Sequence, residues 1–437
     1  MSDRPPNFLF VLADHARYDW LSCHGSVPVR TPNIDALADR GIRLNQTYCN
    51  SPLCAPSRAC LAAGRRYGRT NVPDNSLDFN PQQPTFMHLL RDGGYRVGAC
   101  GKLDLWKKSE YKGLEGWTAR HGQLGYTDTI DQAGKMDAVR QGSQQPKDAY
   151  MAYMHAHGLA QAHHDDYDKR YKTTGGRAAW ACPFAREHHT DDFCGRAALQ
   201  LLDRFPHGEP WHLQVNFPGP HPPYDAPAEL LARYDDVTFP LPVNPDPAIN
   251  ADEHQAVRRQ FAAMTEGIDE WLGWLIARVA QRGELDRTVI IFSSDHGEML
   301  GDHGRWGKSK PDMTSVRVPL VVAGTGVTAQ ATSEALVELI DLSATFVDLA
   351  GIGVPEYFDG RSLAPLLRGD TRKHRDHATS GLHRFRVIVD ERWKLTRYDD
   401  GRVELYDHQA DAAELHECSA AQADVVRRLL AALDADA

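Results

Sequence analysis

The chain has 437 residues, with 49 Lys and Arg against 59 Asp and Glu and a formal net charge of −10. At 42% hydrophobic and 25% charged residues it has ordinary globular composition and enough length to bury a full apolar core. An acidic chain without a basic run is a poor nucleic-acid binder, and no stretch reaches the roughly 18 apolar residues that span a membrane. The N-terminus enters an apolar run at once, with no positively charged leader before it, which gives the expectation of a cytoplasmic protein. The eight cysteines (23, 49, 54, 60, 100, 182, 194 and 418) lack CxxC spacing and are too sparse for a disulfide scaffold.

In chain order, Asn7–Leu12 is a continuous apolar run, the pattern of a strand buried on both faces of a parallel sheet. Thr31 as N-cap, Pro32 at the first helical position and Gly41 as a stop predict a helix between them. A short helix is predicted over Ser57–Ala63, ending at Gly64. Tyr95–Gly101 and Trp211–Phe217 read as further buried strands, and residues 107–189 as an irregular insert serving as a substrate lid. Phe261, Met264, Ile268, Trp271, Leu275, Ile276 and Val279 recur at helical spacing within Asp252–Arg282. Thr288–Ser293 and Val318–Val322 are the next strands. Beyond about residue 375, alternating runs at Phe385–Val389, Trp393–Tyr398 and Arg402–Tyr406 surround an Asp399-Asp400-Gly401 turn, and a terminal helix holds Leu429–Leu433. The expectation is an α/β fold, a doubly wound and mostly parallel sheet over residues 1–375, with a smaller antiparallel α+β subdomain over 376–437.

In such sheets, ligands bind beyond the carboxyl ends of the strands. Four predicted strands end in polar groups suited to one site: Asp14-His15, Lys102 with Asp104, His221, and Asp295-His296. One Asp-His pair is an ordinary capped turn, whereas two pairs after two buried strands form a set for one divalent cation. Cys54 precedes a helix, where free N–H groups and the dipole favour an anion, and Arg58 one turn on could clamp a tetrahedral oxyanion. The His163-His164-Asp165-Asp166 and His188-His189 clusters read mainly as solvated loop residues, and Asp302-His303 as support for the site. Trp106, Tyr126, Tyr150, Tyr153, Tyr167 and Trp180 could line a cleft or simply pack.

Cys54-Ala55-Pro56-Ser57-Arg58, followed by Ala63-Gly64-Arg65, resembles the motif by which type I sulfatases are recognised for conversion of cysteine to formylglycine. Nearly the whole chain shares the resemblance: Thr31-Pro32-Asn33-Ile34-Asp35, Ser51-Pro52-Leu53, Ser294 through Gly304, Trp306-Gly307-Lys308, Val316 through Leu320, and Asp359 through Leu363. The resemblance implies the alkaline phosphatase superfamily fold. It implies that Cys54 becomes formylglycine through a maturation enzyme, and that Asp14, His15, Asp295 and His296, with residue 54, hold one divalent ion, calcium or manganese. Arg58, Lys102 and Lys308 would neutralise the sulfate, His221 would contact the transferred group or leaving oxygen, and Asn75 would bind beside the metal or sulfate. The implied reaction is hydrolysis of a small sulfate monoester or sulfamate, in a homodimer or homotetramer.

Two positions depart from the family pattern. His15 stands where many members carry Asp or Gln, as a ligand that favours manganese or zinc over calcium, or as a group beside the metal. Asp104 stands where the usual pattern has His, and could act as a base or pair with Lys102. The alternatives are a phosphonate monoester or phosphodiester hydrolase using the same nucleophile, and a non-catalytic anion-binding homologue with unmodified Cys54. A choline-type cation would call for an acidic or aromatic cage, for which Asp104 and the insert aromatics are candidates.

Overall fold

The structure is a computed structural model, and it describes residues 4–436. Its centre is a nine-stranded sheet containing β1 (Asn7–Asp14), β2 (Gly41–Tyr48), β3 (Arg96–Lys102), β4 (Asp128–Gln132), β5 (Trp211–Pro220), β6 (Thr288–Ser294), β7 (Arg317–Val318), β8 (Leu320–Gly324) and β9 (Ala331–Glu338). The order is β4-β3-β5-β1-β6-β8-β2-β7, with β9 beside β2. Strands β4, β3, β5, β1 and β6 are mutually parallel, and β8 then turns antiparallel. The mostly parallel α/β sheet expected from the sequence is present.

The apolar run of β1 explains why it lies at the centre: all eight of its residues are buried. Alternate side chains go to opposite faces, so Phe8, Phe10 and Leu12 enter one core with Phe86 and Phe346. Leu9, Val11 and Ala13 enter the other, with Leu201, Ile268, Trp271 and Leu275. The second core is covered by two long helices, Thr190–Arg204 and Ala251–Gln281.

A second, four-stranded antiparallel sheet comprises β10 (Ala378–Leu382), β11 (Phe385–Val389), β12 (Trp393–Tyr398) and β13 (Val403–Asp407). It too is two-faced. Val387 and Val389 join the main core, while Ile388, Leu395 and Leu405 meet Leu429 and Leu433 of the terminal helix Ala423–Ala435. Burial on both faces fuses this small sheet to the large one.

Several local expectations change. Pro319 has no N–H to give a ladder, and the predicted Val318–Val322 strand is split into β7 and β8. The cysteine helix starts at Cys54, not Ser57. Residues 107–189 are not irregular: they contain β4 in the main sheet and the helices Ala119–Gln123, Lys135–Gly142, Ala149–Ala156 and Ala160–Thr174. Apolar periodicity missed them because their buried faces use polar-tipped residues, among them Tyr150, His163, Tyr167 and Arg170. No helix among the described residues is long and apolar enough to cross a membrane.

Candidate active site

The carboxyl ends of β1, β3, β5 and β6 meet the start of the Cys54–Ala63 helix. Asp14 closes β1, where the pairing with β5 slips by a bulge, and His15 follows in the left-handed region at φ 73°. Gly101 places Lys102 at the end of β3. It has φ 82°, and a side chain there would meet the Asn216 carbonyl oxygen at 2.0 Å. Asp295 and His296 follow β6, and Ser57 Oγ donates to the Asp295 carbonyl at 2.5 Å, tying the two segments together.

Cys54 is the first helical residue and is buried. Its N-cap, Leu53, makes no side-chain cap; Asn75 Oδ1 instead accepts from Ala55 N at 3.0 Å. The side chain expected to touch metal or sulfate thus caps the Cys54 helix. Lys308 Nζ lies 2.8 Å from Cys54 Sγ, His296 Nε2 at 3.3 Å and Asp14 Oδ1 at 3.7 Å. Burial and Asp14 push the thiol up, yet Lys102, Lys308 and His296 outweigh them and bring it down to about 5. Residue 54 therefore sits in a field that favours negative charge.

Asp14, His15, Cys54 and His296 each offer a donor atom, and these four atoms lie within 4.8 Å of one another. One carboxylate, two imidazoles and one sulfur, all buried, fit a divalent cation. Asp295 stands just outside this group. Its Oδ1 is 3.6 Å from His296 Nε2 and accepts from the backbone N–H of His296 at 2.9 Å. Its Oδ2 receives Arg58 Nε at 3.0 Å. Burial and the nearby Asp14 raise the Asp295 carboxyl above its ordinary range.

Arg58, expected as an oxyanion clamp, holds this carboxylate, and its buried Nη2 has no hydrogen-bond partner. Its guanidinium also reaches Asn216 Oδ1 at 3.0 Å and the Lys102 carbonyl. Lys102 Nζ contacts Asp14 and lies 3.2 Å from Asp104 Oδ2. Burial opposes its charge, but Asp104, Asp14 and Cys54 hold the ammonium well above its usual range. Asp104 accepts from Lys107 Nζ at 2.8 Å, and despite burial Lys102 and Lys107 hold it below the ordinary carboxylate range.

His15 is enclosed by charge: Glu298 binds its Nδ1 and Lys308 its Nε2. Burial, Lys308 and His296 lower it to about 3, against the pull of Glu298. His221 is half-buried, its ring 4.2 Å from that of His15 and its Nδ1 engaged by the Pro222 carbonyl. Glu298, Lys107 and Asn216 were not singled out by the sequence. The signal for Glu298 was an acid two residues beyond His296; Lys107 and Asn216 carried none.

The other motifs lie elsewhere. His163 packs between Tyr150 and Tyr167, and His164 is half-buried. Asp302 binds Arg17 Nη1 at 2.6 Å and the Val243 N–H at 2.9 Å, a structural brace. Tyr126, Tyr150 and Tyr167 are core residues.

Comparison with known proteins matches residues 6–352 to the family described as Sulfatase, and residues 301–435 to N-sulphoglucosamine sulphohydrolase, C-terminal. The choline-sulfatase of Rhizobium meliloti is 27% identical over 95% of this chain and 82% of that protein. An N-acetylglucosamine-6-O-sulfatase of Bacteroides thetaiotaomicron is 27% identical over 94% of this chain and 82% of its own. The solved phosphonate monoester hydrolase of Agrobacterium radiobacter superposes with a TM-score of 0.81 at 23% identity, covering 99% of this chain and 96% of that one. With the family match spanning most of its length, the chain belongs to the sulfatase family of the alkaline phosphatase superfamily, and it is an enzyme of that family.

Proposed function

We propose that the protein hydrolyses a sulfate monoester or sulfamate of a small molecule by attack from residue 54, after oxidation of Cys54 to formylglycine. The observation that carries this reading is the convergence on Cys54 Sγ of Lys308 Nζ at 2.8 Å, His296 Nε2 at 3.3 Å and Asp14 Oδ1 at 3.7 Å. Asp14, His15, His296 and residue 54 would hold the divalent ion, calcium or manganese, with Asp295 beside them. The hydrated aldehyde supplies an oxygen nucleophile and the ion supplies positive charge to the sulfate oxygens. Cys54 is 1% exposed, so its oxidation by a maturation enzyme belongs before the fold closes.

The remaining roles fall to side chains already in place. Lys308 and Lys102 put fixed positive charge beside residue 54, where the anionic sulfate group would sit while its bond to the leaving oxygen breaks. Arg58 fixes Asp295. His221, whose Nδ1–H donates to the Pro222 carbonyl, leaves Nε2 as the ring's acceptor nitrogen, able to donate to the leaving oxygen only when the ring is protonated. Asp104, pinned by two lysines, anchors Lys102 and is a poor proton acceptor.

Intact mass of protein made with a formylglycine-generating enzyme should show the aldehyde or its hydrate at residue 54. Turnover of 4-nitrophenyl sulfate should then exceed that of an aryl phosphonate. An unmodified thiol with no turnover would make the protein an anion-binding homologue, and faster phosphonate cleavage would make it a phosphonate hydrolase.

A further inference from the structure

Glu298, two residues beyond His296, is fully buried, and its two carboxylate oxygens serve different parts of the site. Oε2 binds His15 Nδ1. Oε1 accepts the backbone N–H groups of Leu300, at 3.1 Å, and of Gly307, the residue before Lys308. One side chain therefore joins a member of the donor cluster to the segment that carries Lys308. That segment is braced again nearby. Met299 N donates to the Gly307 carbonyl at 2.8 Å, and Arg17 Nη1, two residues beyond His15, donates to the Met299 carbonyl at 3.2 Å.

These contacts assign the proton of the His15 ring. A carboxylate only accepts and an ammonium only donates. Glu298 at Nδ1 therefore calls for Nδ1–H, and Lys308 at Nε2 calls for a lone pair there. Nε2 is the nitrogen that faces the cluster: it lies 3.9 Å from Asp14 Oδ1, and the Lys308 ammonium beside it is 2.8 Å from Cys54 Sγ. The backbone carries the same constraint. His15 has φ 73°, in the left-handed region that a β-carbon disfavours, and its N–H is 3.4 Å from Asp295 Oδ1. Such a residue persists where its surroundings over-determine it, and here they turn an acceptor nitrogen toward an acid, a second imidazole and residue 54.

We infer that Glu298 is a positioning residue for the divalent ion: it fixes His15 as an Nε2 donor, and the second nitrogen this adds to that of His296 makes the site prefer Mn²⁺ to Ca²⁺. The same carboxylate sets the Lys308 segment, so ion and lysine are placed by one group. The inference rests on the divalent ion of the sulfatase reading above and goes beyond it in naming what selects that ion. Calcium takes oxygen ligands, whereas imidazole nitrogen suits transition ions. The position needs a carboxylate. A glutamine has one donor end: turned toward His15 it would call for the Nε2–H tautomer, which has no lone pair for a cation. Turned toward Gly307 it would set N–H against N–H.

The test titrates the full-length, metal-free protein with MnCl₂ and with CaCl₂ by calorimetry, a readout that needs no turnover. The wild type should bind Mn²⁺ at least about 10-fold more tightly than Ca²⁺. Glu298→Gln should weaken Mn²⁺ binding by about 10- to 100-fold and Ca²⁺ binding by less, so that the preference collapses. His15→Gln, which offers an amide oxygen in place of the nitrogen, should lose the preference at the outset, and adding Glu298→Gln to it should change the ratio no further. A wild type without a preference for Mn²⁺ overturns the inference, as does either single variant that keeps the wild-type ratio. Equal losses of both ions in Glu298→Gln, with or without His15, also overturn it and make Glu298 a brace for the loop alone. Should Glu298→Gln fail to fold, the ratio in His15→Gln decides. Mn²⁺ bound as expected by a matured enzyme that cleaves no 4-nitrophenyl sulfate fails the sulfatase reading alone; cleavage without a Mn²⁺ preference fails this inference alone.

Discussion

Two buried clusters of charge lie on either side of the β5 loop, and they are built differently. In the one beneath the loop, Lys135 Nζ meets Asp225 Oδ1 at 2.5 Å and the Pro223 carbonyl at 3.1 Å. Tyr167 donates to Asp225 Oδ2 at 2.7 Å, and the Gly219 N–H to Asp191 Oδ1 at 2.8 Å. Each of these contacts is between opposite or complementary groups, and together they fix the backbone that presents His221. In the other cluster like faces like: the Asp14 and Asp295 carboxylates, the His15 and His296 rings, and Lys102 with Lys308 around one sulfur. The cluster beneath the loop pairs Lys135 with Asp225 internally and leaves Asp191 Oδ2 and His189 Nε2 without hydrogen bonds. The cluster around Cys54 holds like charges close beside its Lys102–Asp14 and Arg58–Asp295 pairs, an arrangement that the proposed binding of an anion and a cation would complete.

Substitution separates the two kinds of cluster. Cys54→Ala should lower kcat/KM for 4-nitrophenyl sulfate by at least about 10⁴, because the group that attacks is gone, while urea unfolding shifts by less than about 1 kcal/mol. Asp225→Asn should do the opposite. It leaves Lys135 buried without its carboxylate, a loss of about 3–5 kcal/mol in unfolding free energy. Equal stability losses in the two variants would mean that the two clusters serve the fold alike. Lys308→Met should reduce kcat by roughly 10²–10³ by removing one fixed charge from the reacting oxygens. A fall confined to KM would instead make Lys308 a ground-state binding group.

Legibility followed the same division. Strands β1 and β6 were visible because burial on both faces calls for near-continuous apolar residues, and β5 because Trp211, Leu213, Val215 and Phe217 recur at every second position; their polar ends marked the site. The helices of 107–189 were hidden because they bury tyrosines, histidines and an arginine whose polar tips find partners only in the folded chain, as Arg170 does at the Trp180 and Tyr224 carbonyls. The same limit applied inside the site. Motif spacing located Cys54, Lys102 and Lys308, but Glu298 reaches His15 across 283 positions of sequence and Arg58 reaches Asp295 across 237. Residue type cannot announce which of several partners a guanidinium will choose; the packing at the β6 end decides it.

A third buried ionisable group sharpens the comparison from the neutral side. His212 on β5 is fully buried against Phe8, Phe86 and Phe346, the nearest ring at 4.8 Å, and neither ring nitrogen has a partner. With no carboxylate to stabilise the imidazolium, burial pushes it down to about 3. The unfolded chain, with an ordinary value near 6.5, binds the proton first, so stability is complete above about pH 6.5 and is lost as pH falls toward 3. From pH 7 to pH 5 this one residue should cost about 2 kcal/mol. His212→Phe keeps an aromatic ring in the same aromatic cluster and removes the titration. Urea unfolding of both proteins at pH 7 and pH 5 should therefore show a smaller acid-induced loss in the variant, by about that amount. Parallel losses would mean that the acid sensitivity of the fold lies with its buried carboxylates, and that His212 is an aromatic filler whose nitrogens do not matter.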